Sequence, residues 1–76
     1  MPYRIVPDTF EGFEVQYHSG NGDWRQCGPL GPRSSGVNTH SSEFRAELYI
    51  VLRKSETNLH VTSGYVERIA NKFNLP

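Results

Sequence analysis

No disulfide can form within this chain, because Cys27 is its only cysteine. That removes the disulfide-stapled secreted mini-domains from consideration. No apolar run approaches the ~18 residues that a membrane-spanning helix needs. The start, Met1-Pro2-Tyr3-Arg4, lacks the apolar stretch of a secretory signal, so a cytoplasmic location is expected. There is also no excess charge of either sign. Eight basic side chains face eight acidic ones across 76 residues. The balance holds locally, with three basic and four acidic residues before position 38 and five and four after it. A dedicated nucleic-acid clamp usually carries a basic stripe and a pI above ~9, so none is expected. The histidines, His18, His40 and His60, are each at least twenty residues from the next and have no close cysteine partner. Structural zinc sites draw their ligands from short spacings, so neither metal nor cofactor is expected.

What is present suits one small domain. The chain is 36% hydrophobic and 12% aromatic, and its aromatic residues run from Tyr3 to Phe73. That distribution implies one shared core along the whole length. Phe13, Val15 and Tyr17 alternate with Glu14, Gln16 and His18, the period of a half-buried strand. Asn21-Gly22 follows, a strong hairpin signal because both residues tolerate positive φ. The returning strand runs from Trp24 to Cys27. Tyr3 to Val6 reads as a short first strand that Pro7 interrupts.

Residues 28–40 are rich in Gly, Pro and Ser and read as a long loop, with a short strand possible around Val37. Ser41 or Ser42 then caps a helix, with Glu43 in its first turn. Phe44, Leu48, Val51 and Leu52 form its expected core stripe, and Tyr49 and Ile50 a second strip facing either the sheet or a subunit. Leu59-His60-Val61 is a candidate short strand. Thr62 or Ser63 caps a last helix with the stripe Val66, Ile69, Ala70 and Phe73, and Asn74 suits a left-handed C-terminal position. The predicted fold is α+β. A small antiparallel sheet, made of a β-hairpin at 13–27 plus the short N-terminal strand, packs against two helices at about 42–55 and 63–73. The element order is β-β-β-α-(β)-α.

The chemistry-bearing residues assemble into no catalytic pattern. Cys27 reads as a small buried hydrophobe. Gly28, Gly31 and Gly36 around Arg33 fit neither the P-loop nor the dinucleotide fingerprint. The segments Phe44-Arg45-Ala46-Glu47-Leu48 and Leu59-His60-Val61-Thr62-Ser63-Gly64-Tyr65-Val66 resemble a piece of the ribonuclease H family, whose element order is also similar. The resemblance places Glu47 at the helix glutamate. It puts Thr62 and His18 where that family has aspartates, and two-metal catalysis needs clustered carboxylates. It therefore implies topology without the nuclease activity.

Binding is the remaining expectation. The partner is another protein or protein complex, met by a monomer or homodimer. The expected contact residues are Trp24, Arg33, Tyr49, Arg53, Lys54, Arg68 and Lys72. Size and the lack of other signals suggest a small phage or mobile-element accessory protein that inhibits a host complex, in the manner of anti-CRISPR proteins. The alternative is a nucleic-acid-binding regulator working through Arg68 and Lys72 of the last helix, which are i, i+4 neighbours.

Overall fold

The computed structural model describes residues 2–18, 20, 22–32, 34, 36–55 and 61–75. The order is β1 (Tyr3–Pro7), β2 (Phe13–His18), β3 (Trp24–Gln26), β4 (Thr39–His40), α1 (Glu43–Ser55) and α2 (Ser63–Lys72). The strands form one four-stranded antiparallel sheet, and the small α+β architecture agrees with the sequence. Arg33 and Asn21 lie outside the described residues, as do Leu59 and His60 of the candidate strand. Val61 is described and fully buried, in no strand. The fourth strand lies before α1, two residues beyond Val37.

β2 is central. β1 lies along one side, from Tyr3↔Tyr17 to Pro7↔Phe13. β3 and β4 share the other side, with His18↔Trp24 at one end and Phe13↔His40 at the other. Between them the Val15 carbonyl accepts from Cys27 N, and Val15 N donates to the Asn38 carbonyl. Cys27 and Asn38 thus both flank Val15. β3 and β4 behave as one strand interrupted by an excursion at 28–37.

Local chemistry sets the turns and helix ends. Asp8 organises the β1–β2 turn, its Oδ1 accepting from Phe10 N at 2.7 Å and Gly12 N at 2.8 Å. A Cβ at Gly12 would stand 2.9 Å from Asp8 Oδ2 and 3.0 Å from the His40 carbonyl, so this packing requires glycine. Ser42 Oγ caps α1 through Arg45 N, and Thr62 Oγ1 caps α2 through Tyr65 N. α2 ends with Asn74 at φ 53°, Asn74 N bonding Asn71 O and Leu75 N bonding Ala70 O. This is the Schellman arrangement that satisfies the last carbonyls.

The core lies between the inner sheet face and the helices. Val15, Cys27, Ala46, Tyr49, Val61, Val66 and Ala70 are all fully buried. α2 buries Val66 and Ala70 as its stripe predicts, although Phe73 is 61% exposed. α1 corrects half of its predicted stripe, since Leu48 and Leu52 pack against the core as expected but Phe44 and Val51 do not. Ala46 and Tyr49 face the core, whereas Phe44 is 40% and Val51 57% exposed. The helix carries apolar residues on two sides, and periodicity alone cannot rank them. Ala46 permits close approach to the sheet, and on this side the buried Tyr49 hydroxyl finds the Gly28 carbonyl and the Cys27 thiol as partners.

Candidate functional site

α1 covers one sheet face and α2 packs against α1, so the strands' other side chains form an open face. Period two places Arg4 and Val6 of β1, Glu14, Gln16 and His18 of β2, Trp24 and Gln26 of β3, and Thr39 of β4 there. At one end the Arg4 guanidinium carbon lies 4.4 Å from the Trp24 ring centroid. The His18 ring meets Trp24 edge-on at 5.0 Å. Arg4 Nε donates to Gln16 Oε1 at 2.7 Å. Gln16 Nε2 donates to Glu14 Oε2 at 2.7 Å, and Gln26 Nε2 to Glu14 Oε1 at 2.9 Å. These hydrogen bonds hold four side chains of three strands in one arrangement, with Trp24 packed against Arg4 and His18 at its end, so the face is preorganised.

At the other end the face opens into a groove of about 360 Å³. Val6, Glu14, Gln26 and Thr39 contribute to its lining, with Phe10 and Val37 at its border. Phe10 is 88% exposed, held out by the Asp8 turn, and Val37 is 54% exposed. Sequence reasoning named Trp24 and missed Phe10, Val37 and the Glu14–Gln16–Gln26 ladder. The alternation of β2 and the polar partners opposite it are the signal that would have found the ladder. Phe10 has no such signal, because its exposure follows from the turn.

The other predicted contact residues scatter. Tyr49 is fully buried and cannot touch a partner, which corrects that expectation. The Arg53 guanidinium lies against Gly31, so close that a Cβ there would collide with it, and it braces the 28–37 excursion. Lys54 is exposed on the outer side of α1 and has interactions within the chain. Arg68 lies over Tyr65 at 5.8 Å and Lys72 over Phe73 at 5.6 Å, both on α2. Glu67 of α2 turns toward α1, bonding Arg45 Nε at 3.0 Å and Ser41 Oγ at 3.2 Å. The ribonuclease H-like positions do not converge either. Glu47 is exposed on α1, Thr62 caps α2, and His18 lies on the opposite face of the sheet. Among the described residues no group of three metal-ligating side chains forms.

Beneath the excursion runs a buried polar chain. Asn38 Nδ2 donates to the Gly28 carbonyl at 3.1 Å, and Asn38 Oδ1 bonds His40 Nε2. The Asn38 oxygen can only accept, so Nε2 carries the proton and Nδ1 is bare. Among the described residues Nδ1 has no hydrogen-bond partner. Tyr49 Oη donates to the same Gly28 carbonyl at 3.3 Å, and Cys27 Sγ lies 3.4 Å from Tyr49 Oη. Because Tyr49 spends its proton on Gly28, the Cys27 thiol is the donor in that contact. Burial pushes the Cys27 thiol and the Tyr49 phenol up, opposing thiolate formation.

Burial pushes His40 below its ordinary value, with the Glu67 charge opposing. The unfolded chain therefore binds a proton near pH 6.5 that the folded chain refuses. Stability is fully present above that pH and is lost as pH falls toward the depressed folded value. We expect the urea midpoint to drop between pH 7.5 and 5.5, with a contribution of at most about 1.4 kcal/mol per pH unit below 6.5. A His40→Gln chain, less stable throughout, should show a flatter profile over that interval. An equal slope in both chains would remove His40 as the cause.

In comparisons with known proteins the chain matches no family model, no curated protein and no solved structure, so any functional reading of this face rests on its geometry alone.

Proposed function

We propose that this chain is a non-catalytic protein-binding module whose docking surface is the open sheet face. The observation that carries this reading is the preorganised ladder ending in Arg4-stacked Trp24 on one side and in the groove beside exposed Phe10 on the other. Trp and Arg dominate interface hot spots, and a rigid aromatic anchor loses little entropy on binding. The groove fits a protruding aliphatic or aromatic side chain of a partner protein, with Glu14 and the two glutamines beside it for main-chain contacts. In this reading the module acts stoichiometrically, as an inhibitor of a host protein complex would, and recognition depends on shape. Net charge is zero, which supports shape over long-range steering.

The test begins with capture of partners from the native host by the full chain, followed by titration of the purified partner. Trp24→Ala and Phe10→Asp should each weaken binding by about 30-fold, the equivalent of ~2 kcal/mol at a hot spot. Circular dichroism should show both variants folded, since neither side chain belongs to the buried core. Undiminished binding by the double variant would remove the sheet face from the proposal. The nucleic-acid alternative has one observation in its favour. Glu67 is drawn away to Arg45, leaving Arg68 and Lys72 exposed on α2. Steeply salt-dependent binding to mixed-sequence DNA, lost on Arg68→Ala, would select it over the protein-binding reading.

A further inference from the structure

The outer side of α1 presents an apolar ridge that is open to solvent at both ends and packs against the core in its middle. Phe44 and Val51 are 40% and 57% exposed, one heptad apart, and half-buried Leu48 lies between them. Glu43, Glu47 and Lys54 flank the ridge and are exposed. Among the exposed charges of the helix, Glu43 and Glu47 lie in its N-terminal half and Lys54 in its last turn, while Arg45 is half-buried and paired with Glu67. A surface with this gradient complements itself when two copies run antiparallel. We propose that α1 is a self-association surface, pairing antiparallel about a two-fold axis with α1 of a second copy of this chain.

The register follows from coiled-coil geometry. With Leu48 in an a position and Phe44 and Val51 in d positions, Glu47 and Lys54 both occupy g. Setting Leu48 opposite Val51 of the second copy, and the reverse, satisfies the two-fold. The same alignment brings each Glu47 beside the other copy's Lys54, two symmetric ion pairs along one side of the seam. A parallel pairing would not create these contacts. Helix N-terminal ends would also meet C-terminal ends, which suits the two dipoles. The seam spans only about two turns, so the dimer is weak, with a Kd of roughly tens to hundreds of micromolar. Because α1 lies on the inner side of the sheet, the two open sheet faces would point away from each other. The proposal does not depend on what those faces bind.

Sedimentation equilibrium of the full chain from about 10 μM to 1 mM tests it. A monomer–dimer equilibrium is expected. Val51→Asp and Phe44→Glu should each abolish it in that range, at positions where the fold has little at stake. Glu47→Lys and Lys54→Glu should each weaken the dimer about tenfold, replacing two attractions by two repulsions. The combination Glu47→Lys with Lys54→Glu should recover the affinity to within about threefold. A chain that stays monomeric at 1 mM overturns the proposal. So does a dimer insensitive to Glu47→Lys, or a double variant no tighter than the single ones.

Discussion

Tyr49→Ala is expected to abolish cooperative folding at 25 °C, seen as the loss of a sigmoidal urea transition. Tyr49 is the largest fully buried side chain among the described residues, and its ring packs against that of His40 at a centroid distance of 5.3 Å and a tilt of 42°. Truncating a buried aromatic residue costs about 3–5 kcal/mol, through lost transfer energy and the cavity left behind. A domain of this length has only a few kcal/mol in total. Tyr49→Phe separates the ring from the hydroxyl. It keeps the volume and removes the bonds to Gly28 and Cys27, so a loss of about 1–2 kcal/mol and a retained transition are expected. If Tyr49→Ala unfolds no more easily than Tyr49→Phe, the ring is not the center of the core.

Asn38→Ala should be the next most damaging change, at about 2–3 kcal/mol in chemical denaturation. Asn38 is fully buried and joins the two ends of the strand that the excursion interrupts. Without its side chain, the Gly28 carbonyl keeps Tyr49 as a donor, but His40 Nε2 loses its acceptor within the core. An orphaned buried donor costs more than the bond it made was worth. Gly28 adds to the sensitivity, since a Cβ there would collide with Ser34 and the loop base has no slack. The prediction has a local readout. Amide exchange at Gly31 and Ser34, whose N–H groups bond within the excursion, should accelerate ahead of exchange at Val15. Uniform acceleration would mean that Asn38 supports the whole domain and not the excursion in particular.

Much of the fold was legible because its signals are local. The alternation across Phe13–Tyr17 predicted β2, and both helices fall within one residue of their expected bounds. Cap residues and the left-handed Asn74 follow from the bonding needs of helix ends, which neighbouring residues satisfy. The excursion at 28–37 was readable as a loop, but its joining of two halves of one strand was not. That pairing depends on Cys27 and Asn38 meeting across Val15, a contact between residues distant in sequence.

The candidate site was less legible. Trp24 was found because its residue type alone marks it for interfaces. Glu14, Gln16 and Gln26 are unremarkable in sequence and become a unit only when three strands set them side by side. Tyr49 and Val51 exchanged their expected places, because α1 has two apolar sides and the sheet can bury only one.

By itself, then, the sequence determined the class of the domain, the positions of its helices and the absence of a disulfide framework. These depend on composition and on periodicities that hold whatever the helices pack against. The tertiary structure decided which side of α1 is core, where the buried polar chain runs and which sheet face stays open. The reason is physical: burial is a relation between elements. Ala46 and Tyr49 lie inside because the sheet accepts a close helix there and Gly28 accepts a phenol proton. The equally apolar ridge of Phe44 and Val51 is left to solvent, or to a second copy of the chain.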